Sequence, residues 1–397
     1  QPYWLKEQGT LGTYKVDEQL LIGTPENFPA LSFSVDVEIN GWELNYAVPL
    51  VYKWNDPVKG EQYRPFEVVP PVFVNFMEET QLFSNLSERK IEMVVKAATN
   101  NVNAVLSLNA PKGWELTQNT FKVGLKNKGD EQKIETILKP SSEAMNGELT
   151  VTVKVNKREC NQSLKTITYD HIPTQIYMPK AKVQLVYIDL IKKGEKIGYI
   201  NGAGDVIPEA LRNVGYEVTE LSENDLDNLK QFDAIVLGIR ALNTNDRIDF
   251  YMPKLLAYCK NGGNLILQYN TSHRVNTENF APYPLKLSRD RVTEEDAAVS
   301  FLKPEHPVLN TPNKITQKDF ESWVQERGLY FPNEWDEQYD AILSWHDKGE
   351  EAKNGSLLVA KYGEGYYVYT GISFFRELPA GVPGAYRLLV NLISLGK

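Results

Sequence analysis

Residues 196–271 constrain the fold of this chain more than any other stretch, because short apolar runs alternate there with helical patterns. Three of these runs have the length of buried strands, and a glycine turn at 202–204 follows the first. The runs are residues 197–201, 235–238 and 265–268. Strands that alternate with helices are typical of a doubly wound α/β sheet. We therefore predict an α/β domain over residues 179–397.

The helical patterns of this domain have apolar faces. After Asp246, apolar residues recur at intervals of three and four, as on one side of a helix. They are Ile248, Tyr251, Met252, Leu255, Leu256 and Cys259. Asp205 is a candidate N-cap of an earlier helix. Strands are predicted at 356–360 and 366–369, and a last helix at about 383–395.

The first 180 residues have the short alternating runs of β structure. Residues 30–39 and 42–48 each alternate apolar and polar side chains, and Asn40-Gly41 between them favours a hairpin turn. Prolines at 65, 70 and 71 suggest a domain boundary. We predict a β-sandwich domain over residues 1–71 and an Ig-like β-sandwich over residues 72–178, since short strands recur there at sandwich spacing.

Composition excludes several classes of partner. The net charge is −9 and no run of Lys or Arg is clustered, so a nucleic-acid partner is not expected. No apolar run approaches the ~20 residues of a membrane-spanning helix, so no membrane span is expected. The chain begins without Met, and we expect it to be a piece of a longer protein.

No catalytic set emerges from the nucleophiles and bases. Cys259 lies on the apolar face of the predicted helix and is expected to be a buried core thiol, while Cys160 has no plausible partner. The four histidines have no metal-ligand spacing, and no G-x-S-x-G elbow is present. We therefore predict no catalytic residue, metal site or cofactor in this chain.

Polar residues do follow the predicted strands, where α/β sheets bind ligands. The candidate pocket consists of Gly204, Asp205, Arg240, Asn243, Asn270, Thr271 and His273. Arg240 suits a carboxylate or a sugar hydroxyl, but it equally suits a salt bridge to Asp205, which we favour slightly. The glycine turn lacks the G-x-G-x-x-G pattern, and a structural turn is the better interpretation.

Six stretches together resemble one family. They are residues 169–175, 198–205, 237–244, 268–271, 323–332 and 369–387. The chain resembles, over essentially its whole length, the C-terminal region of long PIG-L (LmbE-like) de-N-acetylases of Bacteroidetes-type bacteria. The resemblance implies a zinc-dependent N-terminal domain that removes the acetyl group from an N-acetylglucosamine-type sugar. It also implies a periplasmic or cell-surface location.

The zinc signature of that family, His-Pro-Asp-Asp, is missing here, since His306-Pro307 is followed by Val308-Leu309. The deacetylase domain is thus expected outside this chain, as its partner, and zinc is expected there. The resemblance further implies that residues 179–397 form a flavodoxin-like, class I glutamine amidotransferase-like domain. Active relatives use a Cys where this chain has Asn270 or Thr271, and no His-x-Glu follows.

Three hypotheses follow from these observations. The leading one is a non-catalytic accessory region of a carbohydrate-active deacetylase, with a glycan as a candidate partner. The sandwich tryptophans could stack on sugar rings or fill the core; they are Trp4, Trp42, Trp54 and Trp114. The alternatives are a sugar-binding or hydrolytic domain that uses the candidate pocket, and a pure spacer or interaction module.

Overall fold

The computed structural model describes residues 2–7, 9–10 and 12–397. The protein is mainly β, with 40% strand and 15% helix. It divides into two compact units. The N-terminal unit comprises Gln1–Glu79, Glu88–Lys139 and Gly147–Val183, and the C-terminal unit comprises Thr80–Ser87, Pro140–Asn146 and Gln184–Lys397. The predicted boundary at 178/179 lies close to the end of the N-terminal unit.

Two separate antiparallel hairpins follow the first residues of the N-terminal unit. Strands β1 (Ser32–Ile39) and β2 (Trp42–Pro49) form one, and β3 (Val51–Asp56) and β4 (Gly60–Pro65) form the other. Asn40 and Gly41 both have positive φ, at 52° and 81°, which confirms the predicted hairpin turn. The predicted β-sandwich over 1–71 is wrong, because these hairpins are two-stranded sheets whose residues are mostly exposed on both faces.

The next strands include those of the sandwich predicted for residues 72–178. They are β5 (Val72–Phe76), β6 (Thr80–Phe83), β7 (Arg89–Ala97), β8 (Val102–Asn109), β9 (Trp114–Leu116), β10 (Thr120–Leu125), β11 (Glu131–Pro140), β12 (Gly147–Val155), β13 (Arg158–Cys160), β14 (Lys165–Ile167), β15 (Gln175–Tyr177) and β16 (Lys182–Tyr187). Strands β14 and β15 form a separate two-stranded sheet, and β6 belongs to the C-terminal unit. One sheet has the order β5-β7-β11-β9, and β10, β8 and β12 are neighbours in another. Buried and exposed residues alternate along β7, β8 and β11, as sheets with one covered face require.

The C-terminal unit contains the remaining strands. They are β17 (Lys196–Ile200), β18 (Glu217–Glu220), β19 (Ala234–Leu237), β20 (Asn264–Leu267), β21 (Leu285–Val292), β22 (Ser300–Phe301), β23 (Gly328–Trp335), β24 (Tyr339–Ala341), β25 (Leu343–Ser344), β26 (Leu357–Tyr362) and β27 (Gly365–Thr370). Seven of them form one sheet with the order β18-β17-β19-β20-β27-β26-β24. The first five of that order run parallel, while β26 and β24 are antiparallel to their neighbours.

The α-helices among the described residues lie in the same unit. They are α1 (Ile207–Asn213), α2 (Ala241–Thr244), α3 (Ile248–Lys260), α4 (Pro307–Asn310), α5 (Phe374–Glu377) and α6 (Pro383–Ile393). Helices α3 and α6 match the helix predicted after Asp246 and the last helix predicted at about 383–395. Helix α1 begins two residues after Asp205, whose carboxylate accepts the Ile207 N–H at 3.1 Å.

Both faces of the seven-stranded sheet are covered. Ile197, Val236 and Ile266 belong to one hydrophobic cluster together with residues of α1 and α6. Ile235 and Leu265, whose side chains point the other way, belong to a second cluster with residues of α3. A sheet covered on both faces explains why its strands are continuous apolar runs rather than alternating ones.

Candidate functional site

Asp205 lies just after β17 and joins two turns at the carboxyl ends of neighbouring strands. Its Oδ1 accepts hydrogen bonds from the Tyr199 hydroxyl, at 2.6 Å, and from the Ile207 amide. Its Oδ2 accepts from the Ile239 amide at 3.1 Å. Burial, with the Asp205 charge as a smaller cause, raises the pKa of Tyr199 above its usual range. The Asp205 carboxylate therefore links the loop after β17 to the loop after β19 by hydrogen bonds.

Arg240 is held by its backbone rather than by its side chain. It is left-handed, with φ 57°, and its amide donates to the Tyr269 carbonyl at 2.8 Å. The side chain is exposed, and no ion pair with Asp205 forms within the described part of the chain. The predicted salt bridge between Arg240 and Asp205 is therefore wrong. The carboxylate of Asp205 instead accepts hydrogen bonds from three donors of the adjoining turns.

Asn243 connects α2 to the loop after β20. Its Oδ1 accepts the Thr271 amide at 2.9 Å, and its Nδ2 lies within 3.2–3.3 Å of the carbonyls of Thr271, His273 and Arg274. The Thr271 hydroxyl donates to the His273 carbonyl at 3.0 Å. This network uses backbone groups of His273, whose imidazole is exposed.

Asn270 occupies the position at which the resemblance expects a nucleophile, and it is fully buried. Its Oδ1 accepts from the Leu242 amide at 2.8 Å, and its Nδ2 donates to the Gln268 carbonyl at 2.8 Å. Its own amide donates to the Tyr369 hydroxyl at 3.1 Å. Both polar atoms of the side chain therefore satisfy buried backbone groups, which is a structural role.

The predicted pocket residues accordingly form two groups. Asn243, Asn270, Thr271 and His273 lie in one network around the loop after β20, while Gly204 and Asp205 lie at the turn after β17. Gly204 has φ 90°, a conformation that favours glycine at that turn. Of the described side chains in this set, those of Arg240 and His273 are exposed and take no part in these hydrogen bonds.

Sequence reasoning missed an aromatic cluster beside Arg240. Tyr269 stacks on Tyr330, with centroids 6.0 Å apart and planes at 10°, and contacts Phe375 at 5.3 Å. Tyr330 has φ 54°, which is strained for a bulky residue. Burial raises the pKa of the Tyr269 hydroxyl, and the nearby Arg240 charge opposes that shift. Residues from three separate stretches meet here, so no local pattern could have indicated the cluster.

A buried carboxylic acid was also missed. Glu377 is fully buried, accepts from the Val324 amide at 3.0 Å through Oε2, and has no hydrogen-bond partner at Oε1 among the described residues. Burial raises its pKa to about 8, although the Arg327 charge works in the opposite direction. Arg327 itself is buried beside the rings of Phe320, Trp323 and Trp345.

The N-terminal unit contains an open cleft of about 1020 Å³ beside the hairpin β3–β4. Its lining includes Leu50, Val51, Tyr52, Trp54, Arg64, Phe66, Glu67, Phe73, Lys96, Lys128, Leu164 and Ile176. Tyr52 and Trp54 are stacked, with ring centroids 5.5 Å apart and planes at 24°. Arg64 donates to Glu67 through Nε and Nη2 at 3.1 and 3.0 Å. The cleft thus combines aromatic rings with charged hydrogen-bonding groups.

The four tryptophans differ in exposure. Trp114 is 7% exposed and fills the sandwich core, and Trp4 is half-buried. Trp42 is 76% exposed, and Trp54 is 36% exposed and lines the cleft. Both cysteines are buried, and burial raises the pKa of Cys259 to about 12, which confirms a core thiol.

No group of three or more His, Cys, Asp or Glu side chains suited to a metal occurs among residues 2–7, 9–10 and 12–397. Within the same residues no helix is long and apolar enough to cross a membrane.

Comparisons with known proteins give remote structural likenesses. No family model and no curated protein matches the chain. A β-galactosidase from Rahnella sp. R3 is 13% identical, with a TM-score of 0.30, over 50% of this chain and 31% of that one. A Salmonella alpha-2-macroglobulin mutant is 14% identical, with a TM-score of 0.21, over 32% and 8%.

The CARDB domain of PF1109 from Pyrococcus furiosus is 11% identical, with a TM-score of 0.17, over 29% of this chain and 94% of that one. The chain spans less than a third of the β-galactosidase and macroglobulin chains that it matches. With TM-scores of 0.30 or less, these likenesses carry no argument about the fold or the function of this chain.

Proposed function

We propose that this chain is a non-catalytic accessory region of a PIG-L-type N-acetylglucosamine deacetylase, located in the periplasm or at the cell surface. In this proposal the zinc-bearing deacetylase domain lies outside the chain and is its partner. The C-terminal unit would be a flavodoxin-like, class I glutamine amidotransferase-like domain that acts as a scaffold. The parallel order β18-β17-β19-β20-β27 and the helices on both faces support that assignment.

The observation that carries the proposal is the state of Asn270. An amidotransferase needs a thiolate on the turn after this strand, whereas a carboxamide cannot attack a carbonyl group. The Asn270 side chain is also fully buried and bonded to the backbone of Leu242 and Gln268. Because Asn270 bonds the loop after β20 to α2, we infer a structural role for this edge of the sheet.

The test is an activity assay combined with a stability measurement on Asn270→Ala. We expect no turnover of amide, ester or glycoside substrates by the wild-type chain. We expect Asn270→Ala to lower the free energy of unfolding by about 1–3 kcal/mol, since two buried backbone groups lose their partner. His273→Ala, which removes an exposed ring, is the control and should leave stability unchanged.

Turnover that Asn270→Ala or Thr271→Ala abolishes would refute the non-catalytic assignment. It would favour the second candidate function, a sugar-binding or hydrolytic site at the carboxyl ends of the strands. The exposed guanidinium of Arg240 beside the stacked Tyr269 and Tyr330 is the observation that favours this alternative. A pure spacer or interaction module, the third alternative, would bind no small ligand in either unit.

The carbohydrate association of the accessory region rests on the cleft of the N-terminal unit. Sugar rings pack their C–H faces on aromatic rings and hydrogen-bond to charged groups through their hydroxyls, and the cleft offers both kinds of group. Trp54 and Tyr52 supply the rings, and Arg64, Glu67 and Lys128 supply the charges. We therefore propose the cleft as the glycan contact.

Calorimetric titration with chitooligosaccharides tests this contact. Trp54→Ala should weaken binding at least about fivefold, because loss of one stacked ring removes about 1 kcal/mol or more. Tyr169→Ala removes another exposed ring of the same unit, away from the cleft lining, and should bind like the wild type. Equal weakening by both variants, or heat changes indistinguishable from dilution, would refute the glycan contact.

A further inference from the structure

The hairpin β1–β2 has one face made entirely of apolar side chains. Strict alternation along both strands places eight of them on the same side, and we call this set the apolar face. It consists of Phe33, Val35, Val37, Ile39, Trp42, Leu44, Tyr46 and Val48. The opposite face carries Ser34, Asp36, Glu38, Glu43, Asn45 and Ala47, with Asn45 bonded to Ser34 and Asp36 at 2.6 Å.

The apolar face is exposed. Seven of its eight side chains expose between 41% and 76% of their surface, with Leu44 the least exposed and Trp42 the most. A two-stranded sheet is marginally stable in water unless one face is covered, and monomers rarely expose a continuous apolar patch of more than a few hundred Å². The face is therefore expected to be covered by another molecule.

The accessible area of the face matches what a stable dimer needs. The three aromatic side chains have about 150–250 Å² each when fully exposed and the four aliphatic ones have less, so at exposures of 41–76% the seven leave on the order of 600 Å² accessible per copy. Two copies that cover each other would remove roughly 1,200 Å², which lies at the lower end of the range of about 1,200–2,000 Å² for stable interfaces.

The pairing within the hairpin makes the face complementary to itself. Phe33 lies opposite Val48, Tyr46 opposite Val35, and Trp42 opposite Ile39. A twofold axis parallel to the strands places each residue of one copy over the cross-strand neighbour of its equivalent. Every aromatic ring then meets an aliphatic side chain of the other copy, so large and small groups interdigitate as in a two-layer sheet.

Charge does not oppose this contact. The chain has a net charge of −9, but the apolar face contains no ionisable group apart from the Tyr46 hydroxyl. The carboxylates of Asp36, Glu38 and Glu43 belong to the opposite face and point away. Two copies can therefore meet without placing like charges against each other.

We propose that this chain forms a twofold homodimer by packing the apolar face of β1–β2 against the same face of a second copy. The four strands would then form a small β-sandwich shared between two chains. A heterologous partner with a similar apolar sheet is the alternative occupant that the experiment must separate from the dimer.

Sedimentation velocity of the full chain over a wide concentration range provides the test. We expect reversible doubling of the 45.1 kDa mass in the wild type. Leu44→Glu should raise the dimer dissociation constant at least about a hundredfold, because it would bury an unpaired charge at the centre of the interface. Ala47→Glu adds the same charge to the same strand on the opposite face, so it is the matched control and should dimerise like the wild type.

Hydrogen exchange of the wild type keeps the proposal falsifiable if a variant fails to fold. Backbone amides of residues 32–49 should gain protection as the protein concentration rises, whereas those of β7 should not change. A wild type that stays monomeric at every concentration would overturn the homodimer, and so would equal dissociation of Leu44→Glu and Ala47→Glu. A dimer that survives Leu44→Glu would place the interface elsewhere and would also overturn it.

Discussion

Strands β1 and β7 have the same pattern of residues but opposite environments. Both alternate apolar and polar side chains and both lie in the N-terminal unit. In β7, Met93 and Val95 are fully buried, whereas in β1 Phe33 is 60% and Val35 43% exposed. Alternation therefore identifies which side of a strand is apolar. Whether that side is buried depends on residues outside the strand that pack against it.

The difference follows from the neighbours of each strand. Strand β7 pairs with β5 on one side and β11 on the other, within a four-stranded sheet whose inner face packs in the sandwich core. Within the described part of the chain, strand β1 pairs with β2 alone. Residues that are distant in sequence supply the cover of β7, and a second chain is the cover that we propose for β1.

The largest expected effect is a loss of stability when a buried side chain of β7 is truncated. Met93→Ala should lower the free energy of unfolding by about 2–5 kcal/mol, since it leaves a cavity in the core. Leu44→Ala in dilute protein, below the dimer range, should cost less than about 1 kcal/mol, because the side chain is already exposed to water. Denaturant unfolding measures both, and equal losses would show that the hairpin is covered within the monomer.

The buried Glu377 makes unfolding of the C-terminal unit depend on pH. This dependence distinguishes unfolding of the C-terminal unit from unfolding of the N-terminal unit. The pKa of Glu377 is about 8 in the folded protein, against an ordinary value of 4.5. Between these values the folded state holds a proton that the unfolded state has lost, so stability falls as the pH rises.

Glu377→Gln cannot ionise, so its stability relative to the wild type should rise by a few kcal/mol between about pH 4.5 and pH 8. Thermal unfolding of both proteins across this range is the measurement. Asp290→Asn changes a partly exposed carboxylate of the same unit and is the control. Parallel pH profiles for Glu377→Gln and the wild type would refute a neutral, buried Glu377.

The smallest effect concerns the polar faces of the two sheets. On the outer side of β7, hydrogen bonds from Lys133 and Lys90 lower the pKa of Glu92 to about 2. Its contribution to stability is present above the ordinary value of 4.5 and is lost as the pH falls towards 2. The melting temperature of Glu92→Gln should therefore differ slightly from that of the wild type at neutral pH and converge with it in acid.

Glu43→Gln on the polar face of β1–β2 is the counterpart, since no described ion pair involves Glu43. Glu43 lies directly opposite Glu38, so removal of one of two facing like charges should leave the melting temperature at neutral pH equal to or slightly above that of the wild type. A Glu92→Gln profile that also stays parallel to the wild type would mean that this network of charges does not stabilise the sandwich.

Local patterns predicted the elements well. The hairpin turn at Asn40-Gly41, helix α3 and the burial of Cys259 all follow from residues close together in sequence, and the structure confirms them. The roles of the strand-end residues did not follow. Asp205 and Asn270 bond to backbone groups of neighbouring loops, and sequence spacing does not reveal which groups a fold will bring within hydrogen-bond distance.

The sequence by itself determined where strands and helices form and which of their faces are apolar, because these depend on the period of nearby side chains. It also determined that a carboxamide, and not a thiol, follows β20. Only the tertiary structure decided that this carboxamide is buried and bonded, that Glu377 is enclosed, and that the apolar face of β1–β2 is exposed. Burial depends on what lies opposite a residue in space, and long-range packing sets that relation.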